Sequence, residues 1–167
     1  MYQSLSHRRF KVLEEMSPRE RDAVLASAHA LERAAETGNT QPLLRGKNLA
    51  LLCEAQDSTD AAMFHRAATE LGANVAHIRA SLAGLGTPQE VRHTARMLGR
   101  LYDAVECQGL SRELVEQLER DAGVPVYDSL ARTASATTQR AELPACDAGA
   151  ADSRRFLLQA LLVASIN

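Results

Sequence analysis

The sequence predicts an α/β fold in three layers: a short parallel sheet of about four strands, flanked by helices and closed by a C-terminal helix. Three observations predict it. Short apolar runs alternate with stretches of helical periodicity from residue 47 to residue 127, the pattern of repeated right-handed βαβ units. The 167 residues suffice for one domain with a real core. The last segment, residues 154–166, carries Phe156, Leu157, Leu158, Leu161, Leu162, Val163 and Ile166 around most of its circumference, so it must be covered by something.

The elements follow in order. Residues 1–16 form a lead-in with Phe10, Val12 and Leu13. Ser17-Pro18-Arg19-Glu20 is a helix start: a capping hydroxyl, a proline suited to the first helical position, and a glutamate that completes a capping box. Val24, Leu25, Ala28 and Leu31 then recur at helical spacing until Gly38. The first strand runs through Lys47-Asn48-Leu49-Ala50-Leu51-Leu52-Cys53, and the next helix opens at Ser58 or Thr59 and ends at Leu71-Gly72. A strand over 75–78 leads through a small-residue loop (80–86) to Thr87-Pro88, which starts a helix through Val91, Ala95, Met97 and Leu98. A strand over 102–107, a helix from Ser111 to Gly123 and a last strand over 124–127 complete the alternation. Residues 131–152 lose all apolar periodicity and read as a linker or loop. The expected organisation is therefore an α/β domain over 1–130, a linker over 131–152, and a helix over 153–167 that docks back on the domain.

Composition excludes several function classes. Charged residues make up 24% and the net charge is −2, so no basic excess points to nucleic acid; no Trp and only three Phe and three Tyr are available to stack on bases. No apolar run approaches a membrane span, and residues 1–9 lack the apolar core of a signal peptide. Cys53, Cys107 and Cys146 lie far apart without metal-ligand spacing, as buried reduced thiols of a cytoplasmic protein would. Neither a cofactor nor a metal is expected.

The chemistry concentrates at the strand–turn–helix corner after Cys53. Helix N-terminal amides make such corners anion sites, yet this one carries Asp57 and Asp60 and no basic residue. Two readings stay open. Asp57, Ser58, Thr59 and Asp60 can cap the helix and complement its dipole. Alternatively, Glu54, Asp57, Asp60, Glu106 and Asp128, all near strand ends or turns, form an acidic pocket for an amine, a cation or a hard metal ion. His65 and His93 read as exposed helix residues and His77 as a packed strand residue; a Cys–His pair for nucleophilic chemistry has no supporting motif.

Three stretches carry a family resemblance. Lys47-Asn48-Leu49-Ala50-Leu51-Leu52-Cys53-Glu54 resembles the first strand of ornithine carbamoyltransferases, Thr94-Ala95-Arg96-Met97-Leu98-Gly99-Arg100-Leu101-Tyr102-Asp103 the approach to their third, and Val124-Pro125-Val126-Tyr127-Asp128 the strand after it. The spacing holds without gaps from 47 to 128. Residues 154–166 are similar to the family's final helix, which returns to the first domain. The resemblance implies the carbamoyl-phosphate-binding domain plus that helix, without the amino-acid-binding domain, and a homotrimer or a mixed assembly with an intact relative.

The family's binding motifs are degenerate here. Its phosphate turn reads Ser-Thr-Arg-Thr-Arg; this chain has Asp57-Ser58-Thr59-Asp60-Ala61. The arginine that ends the third strand is replaced by Gln108, the His-Pro-Thr-Gln motif falls on Ser135-Ala136-Thr137-Thr138 with Gln139 as its only remnant, and the intersubunit loop shrinks to Leu85-Gly86-Thr87-Pro88. A hydrogen bond to a charged group is worth roughly 1.5–3 kcal/mol, so losing three arginines costs on the order of 5–9 kcal/mol, roughly four to six decades in affinity. The expectation is an inactive carbamoyltransferase relative serving as a binding, assembly or regulatory module. A rewired enzyme using the acidic pocket, or residual carbamoyl-phosphate or amino-acid binding tied to arginine metabolism, is the alternative. The degenerate pocket then comprises Glu54, Asp57, Ser58, Thr59, Asp60, Glu106, Gln108 and Asp128, with no catalytic residue.

Overall fold

The computed structural model describes residues 15–55, 57–134 and 149–167. The lead-in side chains Phe10, Val12 and Leu13, the positions Ser135, Ala136, Thr137, Thr138 and Gln139, and Cys146 lie outside the described residues.

Local chemistry sets the helix starts. α1 (Pro18–Glu36) and α3 (Pro88–Leu101) both open with a complete capping box: Ser17 with Glu20, and Thr87 with Glu90, each followed by a proline at the first helical position. α2 (Thr59–Glu70) and α4 (Arg112–Ala122) are each capped by one serine, Ser58 and Ser111, whose hydroxyls accept from the amides of Ala61 and Leu114. α4 stops at Gly123, whose φ of 73° is a left-handed conformation that glycine adopts without a Cβ penalty. A 3-10 turn (Ala80–Leu82) precedes α3.

The strands β1 (Asn48–Leu52), β2 (Asn74–Ile78), β3 (Ala104–Cys107) and β4 (Val126–Asp128) form one parallel sheet in the order β2-β1-β3-β4. Leu51 pairs with His77 and Glu106, and Leu52 with Ile78 and Cys107. β1 is almost fully buried, as befits an apolar run covered on both faces. One face, with Leu49, Leu51, Cys53 and Tyr127, packs against α1, α2, a helical stretch over 130–134 (α5) and α6 (Ala150–Ile166). The other, with Ala50, Leu52, Val105, Cys107 and Val126, packs against α3 and α4. Helices, sheet and helices make the three layers. α6 lies on α1 and α2 and buries Phe156, Leu157, Leu158, Leu161 and Leu162.

The structure differs from the expected linker at both ends. Residues 130–134 are helical and Leu130, Ala131 and Ala134 are buried, while α6 begins at Ala150. Alanines reach a core without the large apolar side chains on which a periodicity reading depends. β3 also starts later than expected, because Tyr102 still donates its N–H to Leu98 as the cap of α3.

Candidate functional site

The eight residues of the expected pocket all sit at the C-terminal edge of the sheet or in the turn beyond it. They do not act as one cluster. Ser58 Oγ accepts from the amide of Ala61 at 3.1 Å, and the Ser58 carbonyl accepts from Ala62 at 3.0 Å, so Ser58 caps α2. Thr59 and Asp60 form the first helical turn, where a carboxylate complements the helix dipole. Asp60, half-buried, lies 3.8 Å from the guanidinium of the exposed Arg132 in α5, a surface contact and therefore weak. Asp57 is exposed in the turn, and Asp128 is exposed at the end of β4.

Glu54 turns away from α2. Its carboxylate accepts from the amide of Ser81 at 2.9 Å and from the Ser81 hydroxyl at 2.7 Å, and these bonds hold it below the ordinary carboxylate range. Glu106 is fully buried on the α2 side of β3 and accepts the N–H of Leu130 at 2.9 and 3.2 Å, capping α5. Burial pushes its carboxyl up to about 8, and nearby Asp128 and Asp60 add to the rise against the backbone bonds from Leu130 and Ser129. At neutral pH it is mostly the neutral acid. Three of the five carboxylates of the expected acidic pocket thus have separate partners on their own chain: Glu54 with Ser81, Asp60 with Arg132, Glu106 with Leu130.

Gln108 is the outlier. It is 8% exposed, its backbone N–H donates to the Leu52 carbonyl at 3.0 Å, and its side-chain Nε2 has no hydrogen-bond partner among the described residues. More than nine in ten buried polar groups in native proteins are satisfied, which makes this one conspicuous.

A thiol–imidazole contact lies on the same face. Cys53 Sγ is 3.1 Å from His77 Nε2 and 3.5 Å from the Ala55 carbonyl oxygen. Burial, then the charges of Glu106 and Glu54, raise the thiol, so it stays protonated and hydrogen-bonded rather than nucleophilic. Cys107 is buried and raised further still. His65 and His93 are exposed. Among the described residues no group of three or more His, Cys, Asp or Glu is arranged to hold a metal ion, and no helix is long and apolar enough to cross a membrane.

Sequence reasoning missed Ser81, Arg132 and the pairing of Cys53 with His77. The first two lie 27 and 72 positions from the carboxylates they meet, and only the β1–β2 register brings His77 beside Cys53. The one advance signal was Ser81 in a small-residue loop at the sheet's C-terminal edge.

Comparison with known proteins places this corner in context. The family model described as "Aspartate/ornithine carbamoyltransferase, carbamoyl-P binding domain" matches residues 8–140. A catabolic ornithine carbamoyltransferase of Burkholderia mallei is 40% identical over 127 residues, covering 76% of this chain and 38% of that protein. The Pseudomonas putida enzyme of the same description is 38% identical over the same shares. Among solved structures, the ornithine carbamoyltransferase from Pyrococcus furiosus superposes with a TM-score of 0.69 at 25% identity, covering 81% of this chain and 46% of that one. The chain therefore spans well under half the length of the curated relatives it matches.

Proposed function

The chain belongs to the aspartate/ornithine carbamoyltransferase family, in its carbamoyl-phosphate-binding domain, and from that premise we propose that it is a relative without carbamoyl-transfer activity that works as a binding or assembly module. One observation carries the reading: the N-terminus of α2 presents Asp57 and Asp60, with no lysine or arginine between residues 54 and 61. A small dianion depends on charge-assisted bonds from arginine, and here it would meet the exposed Asp57 and the half-buried Asp60, whose neighbouring Arg132 is solvent-exposed. The groups that would bind it would also stabilise charge in the transition state, so binding and rate fall together. Gln108 at the end of β3 supports the same reading, since a neutral amide stands where the resemblance expects a guanidinium.

Assembly is the positive half of the proposal. Family resemblance favours a homotrimer, or association with an intact carbamoyltransferase. Leu82, 77% exposed on the 3-10 turn beside the shortened loop, supports a protein contact there. Free thiols at Cys53 and Cys107 suit a reducing compartment such as the cytoplasm. The acidic-pocket enzyme has no observation in its favour, because Glu54, Asp60 and Glu106 each have another partner.

The test has two arms. Incubated with carbamoyl phosphate and ornithine, the protein is expected to give no turnover, and neither carbamoyl phosphate nor inorganic phosphate at millimolar concentration shifts its melting temperature. A clear thermal shift with either anion, or measurable product, ends the inactive reading. Light scattering and co-purification with an intact carbamoyltransferase examine assembly; a strict monomer that ignores the enzyme ends that half.

A further inference from the structure

We propose that the thiol of Cys53 and the imidazole of His77 form a two-donor site for a soft monovalent cation, Cu(I), at the end of the β1–β2 ladder. The site does not depend on whether carbamoyl transfer is lost. Strand geometry builds the pair. Leu51 of β1 stands opposite His77 of β2, and the ladder continues past Leu52, because the Cys53 N–H donates to the Ile78 carbonyl at 3.1 Å. Side chains alternate along each strand, so Cys53 shares a face with Leu51, and His77 shares it as the register partner of Leu51. Cys53 Sγ and His77 Nε2 meet there at 3.1 Å. One hydrogen lies on the line between them, whichever tautomer carries it. Cys53 is only 3% exposed, while His77 is half-buried on the edge strand and is the more accessible of the two.

The donor set selects the ion. Thiolate sulfur and imidazole nitrogen suit Cu(I), whereas magnesium, calcium and manganese ions prefer oxygen. Structural zinc takes four ligands, and among the described residues no group of three or more His, Cys, Asp or Glu is arranged for a metal. A monovalent ion with a filled d shell is satisfied by two donors in line. With metal–sulfur and metal–nitrogen bonds of about 2.3 and 2.0 Å, the pair opens by about 1 Å to admit it. β2 can give way, since it has a neighbouring strand on one side only. Charge points the same way. Glu54, which Ser81 holds as a carboxylate, lies within electrostatic reach of both Cys53 and His77. It opposes a bare thiolate but not a sulfur already neutralised by a cation. The exchange balances: the S–H bond breaks, an S–Cu bond forms and the proton leaves to solvent. Copper stays monovalent, so no oxidant or reductant takes part.

The experiment titrates the full, reduced chain with Cu(I) under argon, in competition with a chromophoric Cu(I) chelator, and follows the 15N signals of the histidine rings. The protein is expected to withdraw copper from the chelator, with a saturable shift of the His77 ring nitrogen Nε2, and Zn(II) to leave that signal in place. Cys53→Ser and His77→Phe should each lose this binding with the amide spectrum otherwise kept, and Cys146→Ser should retain it. Cys53→Ala is the second variant in case the serine fails to fold. A His77 ring signal that stays in place while copper is added overturns the site, as does binding that survives both Cys53 variants unchanged. Zn(II) moving the ring as Cu(I) does overturns the choice of ion. None of these outcomes bears on carbamoyl transfer, which the turnover assay reads separately.

Discussion

At the scale of single residues, the informative one is Glu106. Its carboxyl, ordinarily near 4.5, is pushed up to about 8 by burial. The folded chain therefore holds a proton that the unfolded chain releases above about 4.5. The sign follows: the stabilisation is complete below about 4.5 and is lost as pH rises through about 8. A tenfold difference in proton affinity is worth about 1.4 kcal/mol, so the loss is on the order of a few kcal/mol. Glu106→Gln keeps an oxygen for the Leu130 amide and removes the titration. Urea melts of both proteins at about pH 5 and about pH 8.5 should show the native chain losing stability across this window and the variant losing much less; parallel losses would refute the assignment. None of this was legible in the sequence. That Ser58 caps α2 could be read because a cap is local, three positions from its partner. Glu106 meets Leu130 across 24 positions and Glu54 meets Ser81 across 27, so whether either carboxylate faced a ligand or an amide waited on the sheet. The unpaired Gln108 was visible in the sequence only as a missing arginine.

Elements show where local signals suffice and where packing overrides them. The capping box at Ser17, the helix start at Thr87-Pro88 and the glycine stop at Gly123 sit where the sequence places them, because each signal is complete within a few residues. α5 was hidden for the opposite reason: Ala131 and Ala134 are buried without the bulk that marks a core face. Gly99 separates the two kinds of control. It lies inside α3, where propensity alone says that alanine gains about 1 kcal/mol over glycine. A Cβ at this position, however, would collide with the backbone carbonyl of Ala122 at the end of α4. Backbone cannot yield as a side-chain tip can, and the helices approach closely here because Val91, Ala95 and Leu98 interlock with Val115 and Leu118. Gly99→Ala should therefore destabilise the protein by about 1–3 kcal/mol, the cost of overpacking a filled core. A lower midpoint in chemical denaturation supports the close approach. An unchanged or raised midpoint would mean that propensity decides and the α3–α4 contact is looser than the structure has it.

For the whole molecule the question is what α6 does. That a helix carrying seven apolar side chains must be covered was readable from residues 154–166; which helices cover it was not. The structure has it on α1 and α2, and polar contacts fix its rotation. Arg155 reaches Glu70 at 2.7 Å, Gln159 donates to the Ala67 carbonyl at 3.2 Å and to Glu70 at 3.0 Å, and Ser165 meets the Tyr127 hydroxyl at 2.5 Å. Since apolar contact is non-directional, these bonds single out one orientation of a helix that is apolar on most sides. The energy comes from burial. Phe156, Leu157, Leu158, Leu161 and Leu162 are each at most 7% exposed. At about 1.5–3 kcal/mol for each such side chain, they contribute on the order of 8–15 kcal/mol, an upper estimate because unfolded chains already bury some of this surface. Total stability for a domain is about 5–15 kcal/mol. A single helix thus carries a share comparable to the whole margin, and its loss would also expose Phe64, Ala67 and Ala68 of α2 to water. Removing residues 149–167 should abolish the cooperative thermal transition and leave a chain that binds hydrophobic dyes. Adding the 149–167 segment back as a separate peptide should restore part of the transition, in proportion to its concentration. A truncated chain that still melts cooperatively, near the temperature of the intact one, would show that α6 is an appendage and that the α1–α2 face is closed by something else.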